Sequence, residues 1–465
     1  MVKLIVLREL LDQFTSLRFY LSLLLVIFLM GLCGIIHSVK YRTEVQKYRA
    51  SLTRYEQQLS GRTIDELMTV HHLALKPPWK LAFLADGGQR LVPNAYAQVL
   101  DADWTPYFYR THSPNFRLRP FEALDWTFIV RVVLSLVAFV FAYDAICGEK
   151  QQGTLRLAMS YPVSRWNVLV GKFLAVWGCV GVLFIVGALL SLIILTTYGG
   201  IGLSGEELRK VTICSLLTLL ASALFVWVGL LVSTLMHRTT TSLVVLLLVW
   251  VGFVVVVPGA SGMLAHKLKP VPTPDEVGRR IQAISDEIMQ EYKGRESGWR
   301  GRRLGRVDNY AWERISAEAQ NKRYARQERV RRKFLRQKLA QVEFVQMLSS
   351  ISPTSLFQCA SEHLIGSGLD RDRRFIERAW AFRGVLENYF RTVDQMDPES
   401  PHIFFFSGYM SNKKVDVRSI PRFQFQEIPL PQCLAQAVWG ILILGLETAM
   451  TAITSYVLFL RYDVR

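Results

Sequence analysis

Cysteine is scarce in this chain and badly placed for cross-linking. Of six cysteines in 465 residues, Cys33, Cys179, Cys214 and Cys433 fall within or at the ends of apolar runs and Cys147 borders a polar insert. Only Cys359 lies in a large polar segment, so no disulfide can form inside that segment. The phosphate-binding glycines of a nucleotide site are missing too. No G-x-x-x-x-G-K-[ST] loop occurs, and Gly171-Lys172-Phe173 lacks both the hydroxyl after the lysine and the upstream glycine. No H-E-x-x-H or G-x-S-x-G pattern is present, and His71-His72 are adjacent rather than spaced as metal ligands. These absences point away from an enzyme and from a metal or cofactor held by this chain. Acidic residues are few, 38 against 55 basic ones, which leaves a formal charge of +17.

What the chain has is apolar sequence in long runs, at about 19–36, 126–146, 168–196, 210–235, 240–263 and 433–461. Roughly 20 such residues cross the ~30 Å of hydrocarbon in a bilayer. The runs lack the alternation or spacing of half-buried soluble elements. Buried helices of a large soluble domain are the alternative, and several runs are too long for it. The expected fold class is an α-helical integral membrane protein with six transmembrane helices, an N-terminal interfacial helix and two extracytoplasmic inserts, the larger mainly helical. Glu9 and Asp12 precede the first run and no small-x-small pattern follows Gly34, so the run reads as a retained helix rather than a cleaved leader. Within residues 1–18, Leu7, Leu10, Leu11, Phe14 and Leu17 share one helical face, with Arg8, Glu9, Asp12 and Arg18 elsewhere. That pattern suits a helix lying in the membrane interface; a plain cytoplasmic extension of the first span is the alternative.

Charge orients the chain. The insert at 147–167 and the start of the next span carry Lys150, Arg156, Arg165 and Lys172 against Glu149, and the turn His237-Arg238 and the tail 462–465 share that side. The loop 197–208 carries Glu206 and Glu207. The positive-inside tendency then places both termini in the cytoplasm, and the segments 37–125 and 264–432 outside a bacterial inner membrane. Long translocated domains largely escape the rule, so the basic character of 264–432 does not overturn it. In the first segment, 41–60 reads as a polar helix continuing the first span, and 76–121 as loop-rich, with Pro77-Pro78 and Gly87-Gly88. In the second, Asp275-Glu276 after three prolines open a helix with Val277, Ile281, Ile284, Ile288 and Tyr292 on one face. Further helices are expected over about 310–348 and 371–392, while His402–Ile428 alternates aromatic and polar residues as an extended segment would.

The insert is oversized for a turn. Gly148-Glu149, Gly153-Thr154-Leu155, Pro162-Val163-Ser164-Arg165 and Gly171-Lys172 follow one another between two apolar runs. This order resembles the loop between the second and third transmembrane helices in permeases of the type-2 ABC exporter superfamily. Tyr143-Asp144 and the run Phe116–Asp125 are similar to a branch with large external domains after the first and fifth helices. The resemblance implies that Glu149, Gly153, Thr154, Leu155, Pro162, Arg165 and Lys172 belong to a coupling helix for a separate cytoplasmic ABC ATPase dimer. It implies ATP and magnesium on that partner, and a second permease half, the same or a similar chain. The physical reading agrees: a short helix over Glu149–Ser160, ended by Pro162, makes a stiff lever.

Three intramembrane charges stand apart, since such residues usually face a protein interior or a cavity. Glu447, mid-way along the last run, either lines a path or bonds a neighbouring helix; Asp144 orients the entry to the insert; Arg131 snorkels outward. Arg300–Lys338 holds fourteen basic residues and four acids, which suits contact with anionic lipid, an acidic partner or plain solvent better than nucleic acid. The function expected is the membrane permease of an ATP-driven exporter, with lipids and a periplasmic protein as further partners. A mechanotransmitter that moves its external domains without moving a substrate is the alternative, and a scaffold without an ATPase a remoter one.

Overall fold

The computed structural model describes residues 2–88, 92–111, 124–300 and 310–462, leaving aside the side chains of Ala158 and 294–300. Most of Phe116–Asp125, the arginine-rich 301–309 and the last three residues therefore lie outside the described residues. Among the described residues six helices are long and apolar enough to cross a membrane. The described residues are mainly α-helical and include one small sheet.

Helix α1 (Val2–Phe14) ends at a turn where the Ser16 hydroxyl accepts the Phe19 N–H at 3.3 Å, a side-chain cap that starts α2 (Leu17–Leu59). At 43 residues α2 is about 64 Å long, more than twice the hydrocarbon thickness, so its polar second half stands clear of the apolar part. A capping box at Thr63 and Glu66 opens α3 (Ile64–Met68). Three short strands follow, β1 (His72–Leu75), β2 (Ala95–Gln98) and β3 (Tyr107–Tyr109), antiparallel in that order, with His72 opposite Gln98 and Ala95 opposite Tyr109. The sequence reads this region as loop. Strands of three or four residues are too short to show alternation, and burial rather than pattern selects them: Ala74, Ala95, Tyr96 and Ala97 are almost wholly enclosed.

The second span combines α4 (Trp126–Phe128), a π-helical stretch Ile129–Leu134 and α5 (Ser135–Ala142). The insert holds α6 (Cys147–Gln152) and α7 (Thr154–Ser160). Then come α8 (Arg165–Thr197), α9 (Gly205–Leu235) and a fifth span of α10 (Thr239–Val251), a π stretch Gly252–Val256 and α11 (Val257–Leu268). The second large segment comprises α12 (Pro274–Arg300), α13 (Ala311–Ser349), α14 (Pro353–Ile365) and α15 (Gly368–Gln395), and α16 (Leu430–Arg461) is the last span.

Two cores divide the molecule. The first joins the spans and takes in Leu356, Phe357, Ala360, Leu364 and Ile365 of α14. This helix of the polar segment is thus seated among the spans. Its backbone comes close to α16: a Cβ on Gly440 would lie 3.0 Å from that of Ala360. The second core gathers the outer end of α2 (Tyr55, Leu59), α3, the sheet and α15. The segment after α15 forms turns and one isolated bridge, Thr63 with Lys414, instead of the extended run its alternation suggests. Its aromatics are spent on the core, Phe423 and Phe425 packing edge-on against Phe375. The fifth and sixth spans bury little of their surface within the chain, whereas α9 is enclosed.

Candidate functional site

The insert begins where α5 runs out at Ala142. The Ile146 and Cys147 N–H groups both donate to the Ser233 hydroxyl of α9, at 3.1 and 3.0 Å, and Ser242 of α10 donates to the Tyr143 carbonyl at 2.8 Å. Asp144 pairs with Arg18 of α2 at 2.8 Å, and that guanidinium lies over the Tyr143 ring. Chain entry into the insert is thus fixed from three helices.

At its centre is a shared cation. Lys172, only 3 % exposed on α8, donates from Nζ to Glu149 Oε1 of α6 at 2.7 Å and to Glu9 Oε1 of α1 at 2.8 Å. A buried ammonium costs several kcal/mol to desolvate unless paired, and here two carboxylates offset one cation. The second oxygen of Glu149, Oε2, is buried and has no hydrogen-bond partner among the described residues. The approach of α1 depends on a missing side chain: a Cβ on Gly171 would stand 2.7 Å from Ile5 Cγ2.

Other basic residues cap helix ends. Arg165 donates to the carbonyls of Phe459, Leu460 and Tyr462, at 3.0, 2.7 and 2.8 Å, satisfying the C-terminal groups of α16. Lys150 donates to the Thr234 carbonyl at the end of α9 and stands 4.0 Å over the Tyr462 ring. Gln151 Oε1 accepts from the N–H and hydroxyl of Thr239, where α10 begins. The insert is therefore tied to α1, α2, α8, α9, α10 and α16.

The single helix expected over Glu149–Ser160 is two. Gly153 takes φ +75, a left-handed conformation that ends α6 and restarts the chain as α7 at a new angle. Leu155 turns into the spans, 2 % exposed, while Leu157 and Tyr161 stand out at 64 % and 63 %. With Thr154 and Pro162 these form an exposed ridge facing away from the core. Of the residues singled out from the sequence, Glu149 and Lys172 meet directly, Arg165 holds α16, Leu155 faces inward, and Gly153, Thr154 and Pro162 shape the ridge. The sequence alone does not reveal the site role of Glu9, which reads there as a charge before the first run on a polar helix face, or of Leu157 and Tyr161, whose signal is an apolar pair inside a polar loop.

The remaining charges separate. Arg131 is half-buried and donates to Gln358 of α14. Glu447 is half-buried on α16, with Oε2 enclosed and unbonded. His72 is fully buried, its Nε2 against the Leu67 carbonyl at 3.0 Å and its Nδ1 against the Tyr55 hydroxyl at 3.0 Å. A carbonyl can only accept, so Nε2 carries the proton and Nδ1 accepts; burial pushes this imidazole down to about 4. No three His, Cys, Asp or Glu side chains gather as metal ligands among the described residues.

A family model described as ABC-2 family transporter protein matches residues 4–464. The chain is also similar to a curated protein named "Probable ABC transporter permease protein NosY" from Pseudomonas aeruginosa, 42 % identical over 55 residues, which is 12 % of this chain and 20 % of that protein. The protein of the same name from Stutzerimonas stutzeri is 49 % identical over 41 residues, 9 % of this chain and 15 % of that one. In both cases the match spans a fifth or less of the relative's length. The family match, by contrast, runs through all six spans and both large polar segments: the chain belongs to the ABC-2 family of transporter proteins.

Proposed function

We propose that this chain is the membrane half of an ATP-driven exporter, worked by a separate ATPase that seats on the ridge formed by α7 and the turn after it. The observation that carries the reading is the wiring of the insert. A segment that merely reversed direction would need no ties to six helices, nor an apolar knob of Leu157 and Tyr161 held away from the core. The curated relatives are named ABC transporter permease proteins, which fits a partner that supplies ATP and magnesium. Movement of the ridge would pass through Glu149, Lys172 and Glu9 to α8 and α1, and through Arg165 to α16. From α16 the Gly440–Ala360 contact hands it to α14 and the external segments.

The scantily buried fifth and sixth spans leave faces for lipid and for a second permease half, the same or a similar chain. With the insert cytoplasmic, the termini are cytoplasmic as well, the membrane is the bacterial inner membrane, and α12 to α15 face the periplasm, where a further protein docks. The test is co-purification of the chain with its ATPase. Leu157→Asp with Tyr161→Asp should abolish association while the permease keeps its thermal stability. Full association of the double variant would overturn the proposal.

A further inference from the structure

The second large segment holds a cleft that the transport reading leaves unused. It lies between α13 and α15, is closed by the turn 402–405, and has a volume of about 970 Å³, at the upper end of the range for small-molecule sites. Six basic side chains line it against three carboxylates. Two of the carboxylates are engaged on their own helices, Glu328 with Arg332 at 2.8 Å and Glu387 with Arg383 at 2.6 Å. Arg391 is exposed and its guanidinium lies over the rings of Phe404 and Phe405, at 5.2 and 5.7 Å. Arg332 lies 5.0 Å from the centre of Trp380. A guanidinium laid on aromatic faces, as that of Arg391 is, keeps its fork of donors for an anion while an apolar wall stands beside it.

Two further observations mark the cleft as built. The Tyr324 ring lies beneath the Arg383 guanidinium, 3.9 Å from its centre, and the Tyr324 hydroxyl is buried without a hydrogen-bond partner among the described residues, a state that native proteins seldom leave unanswered. The closing turn holds His402 and Phe405 at φ 55 and 61, in the left-handed region that such side chains rarely adopt. Positions of this kind persist where the surroundings impose them, and they gather at ligand sites. At His402 the fully buried Asp394 supplies the anchor, accepting from His402 Nδ1 at 2.8 Å, the Ser400 hydroxyl at 2.7 Å and the Ser411 N–H at 2.7 Å.

On the membrane placement proposed above, the cleft also stands clear of the bilayer. Gln341 of α13 donates to the Lys269 carbonyl, at the end of α11. Arg332 is therefore about 13 Å farther along α13 and Arg314 about 40 Å, at 1.5 Å per residue. We propose that this cleft binds a soluble amphipathic oxyanion, a phosphate or carboxylate joined to an apolar or aromatic body, taken from solution rather than from the adjoining lipid.

The experiment measures binding to the full chain in nanodiscs of zwitterionic lipid, with phenyl phosphate and inorganic phosphate as soluble probes. A third arm uses nanodiscs doped with phosphatidylglycerol and reads protection of Arg391 from guanidinium modification. Phenyl phosphate should bind saturably and at least tenfold more tightly than inorganic phosphate. Arg391→Gln should weaken it about tenfold and Tyr324→Phe several-fold, with thermal unfolding unchanged. No saturable binding of phenyl phosphate, or binding indifferent to both variants, overturns the site. Equal affinity for the two soluble probes overturns the apolar wall, and protection of Arg391 by phosphatidylglycerol alone overturns the assignment to a soluble ligand.

Discussion

Replacing Lys172 by methionine removes one cation and strands two carboxylates, and the structure sets the size of the effect. Each bond, at 2.7 and 2.8 Å, is charge-assisted, a type contributing on the order of 1.5–3 kcal/mol. Breaking a buried pair costs about 3–5 kcal/mol, because the partner is left charged and unpaired. Glu9 and Glu149 keep 21 % and 29 % of their side-chain surface exposed, so they can rehydrate as the junction opens. The lower end applies, about 3 kcal/mol, which is on the order of a hundredfold in the opening equilibrium. Hydrogen exchange on the chain in nanodiscs reads this directly: amides of α1 and α6 should lose about a hundredfold in protection in Lys172→Met, while those in the middle of α9 stay unchanged. Glu9→Gln and Glu149→Gln each leave Lys172 with one counter-charge and should cost about 1–1.5 kcal/mol, roughly tenfold. Combining them leaves the ammonium buried alone and should cost more than the sum. Unchanged protection of α1 in Lys172→Met, or strict additivity of the two glutamine variants, would refute the shared-cation reasoning.

Other perturbations follow from single contacts. Gly153→Ala forces a side chain into the left-handed region, at about 1–2 kcal/mol, and should reduce ATPase stimulation by the permease without affecting membrane insertion. Gly171→Leu drives a side chain into Ile5 and should release α1, seen as new cleavage by protease within residues 2–16. The neutral His72 gives a pH dependence whose sign is fixed. Its folded value of about 4 lies below the ordinary 6.5, so the unfolded chain binds the extra proton between those limits. Stability contributed by the neutral ring is complete above pH 6.5 and is lost as pH falls toward 4, by about 3 kcal/mol in all. Thermal unfolding of the second core from pH 7 to 4 should show this slope, and His72→Gln should flatten it.

The long elements were legible because their signals are long. Each of the six apolar runs falls on one of the six candidate spans, and the 27-residue α12 and 39-residue α13 follow the apolar spacing from Val277 and the helical stretch from Tyr310. Helix α14 was not, since 13 residues inside a polar segment carry too few turns to separate from loop, and its apolar face has meaning only against α16 and α9. Gly153 was visible, but a glycine inside a helical pattern costs only about 1 kcal/mol. Whether it bends the chain is decided by anchors at Ser233, Lys172 and Thr239, which come from other helices. Glu9 and Lys172 stand 163 residues apart, and no local pattern joins them.

The central claim is that the ridge after Gly153 is where an ATPase takes hold. The most direct measurement is site-specific photo-crosslinking in cells expressing the chain with its ATPase, the reactive group placed at Leu157 or Tyr161 and, as a control, at the equally exposed Trp439 of α16. Both ridge positions should give a crosslink to the ATPase, changing in yield with bound nucleotide, and Trp439 should give none. Absence of an ATPase adduct at Leu157 and Tyr161, with the complex demonstrably assembled, would contradict it.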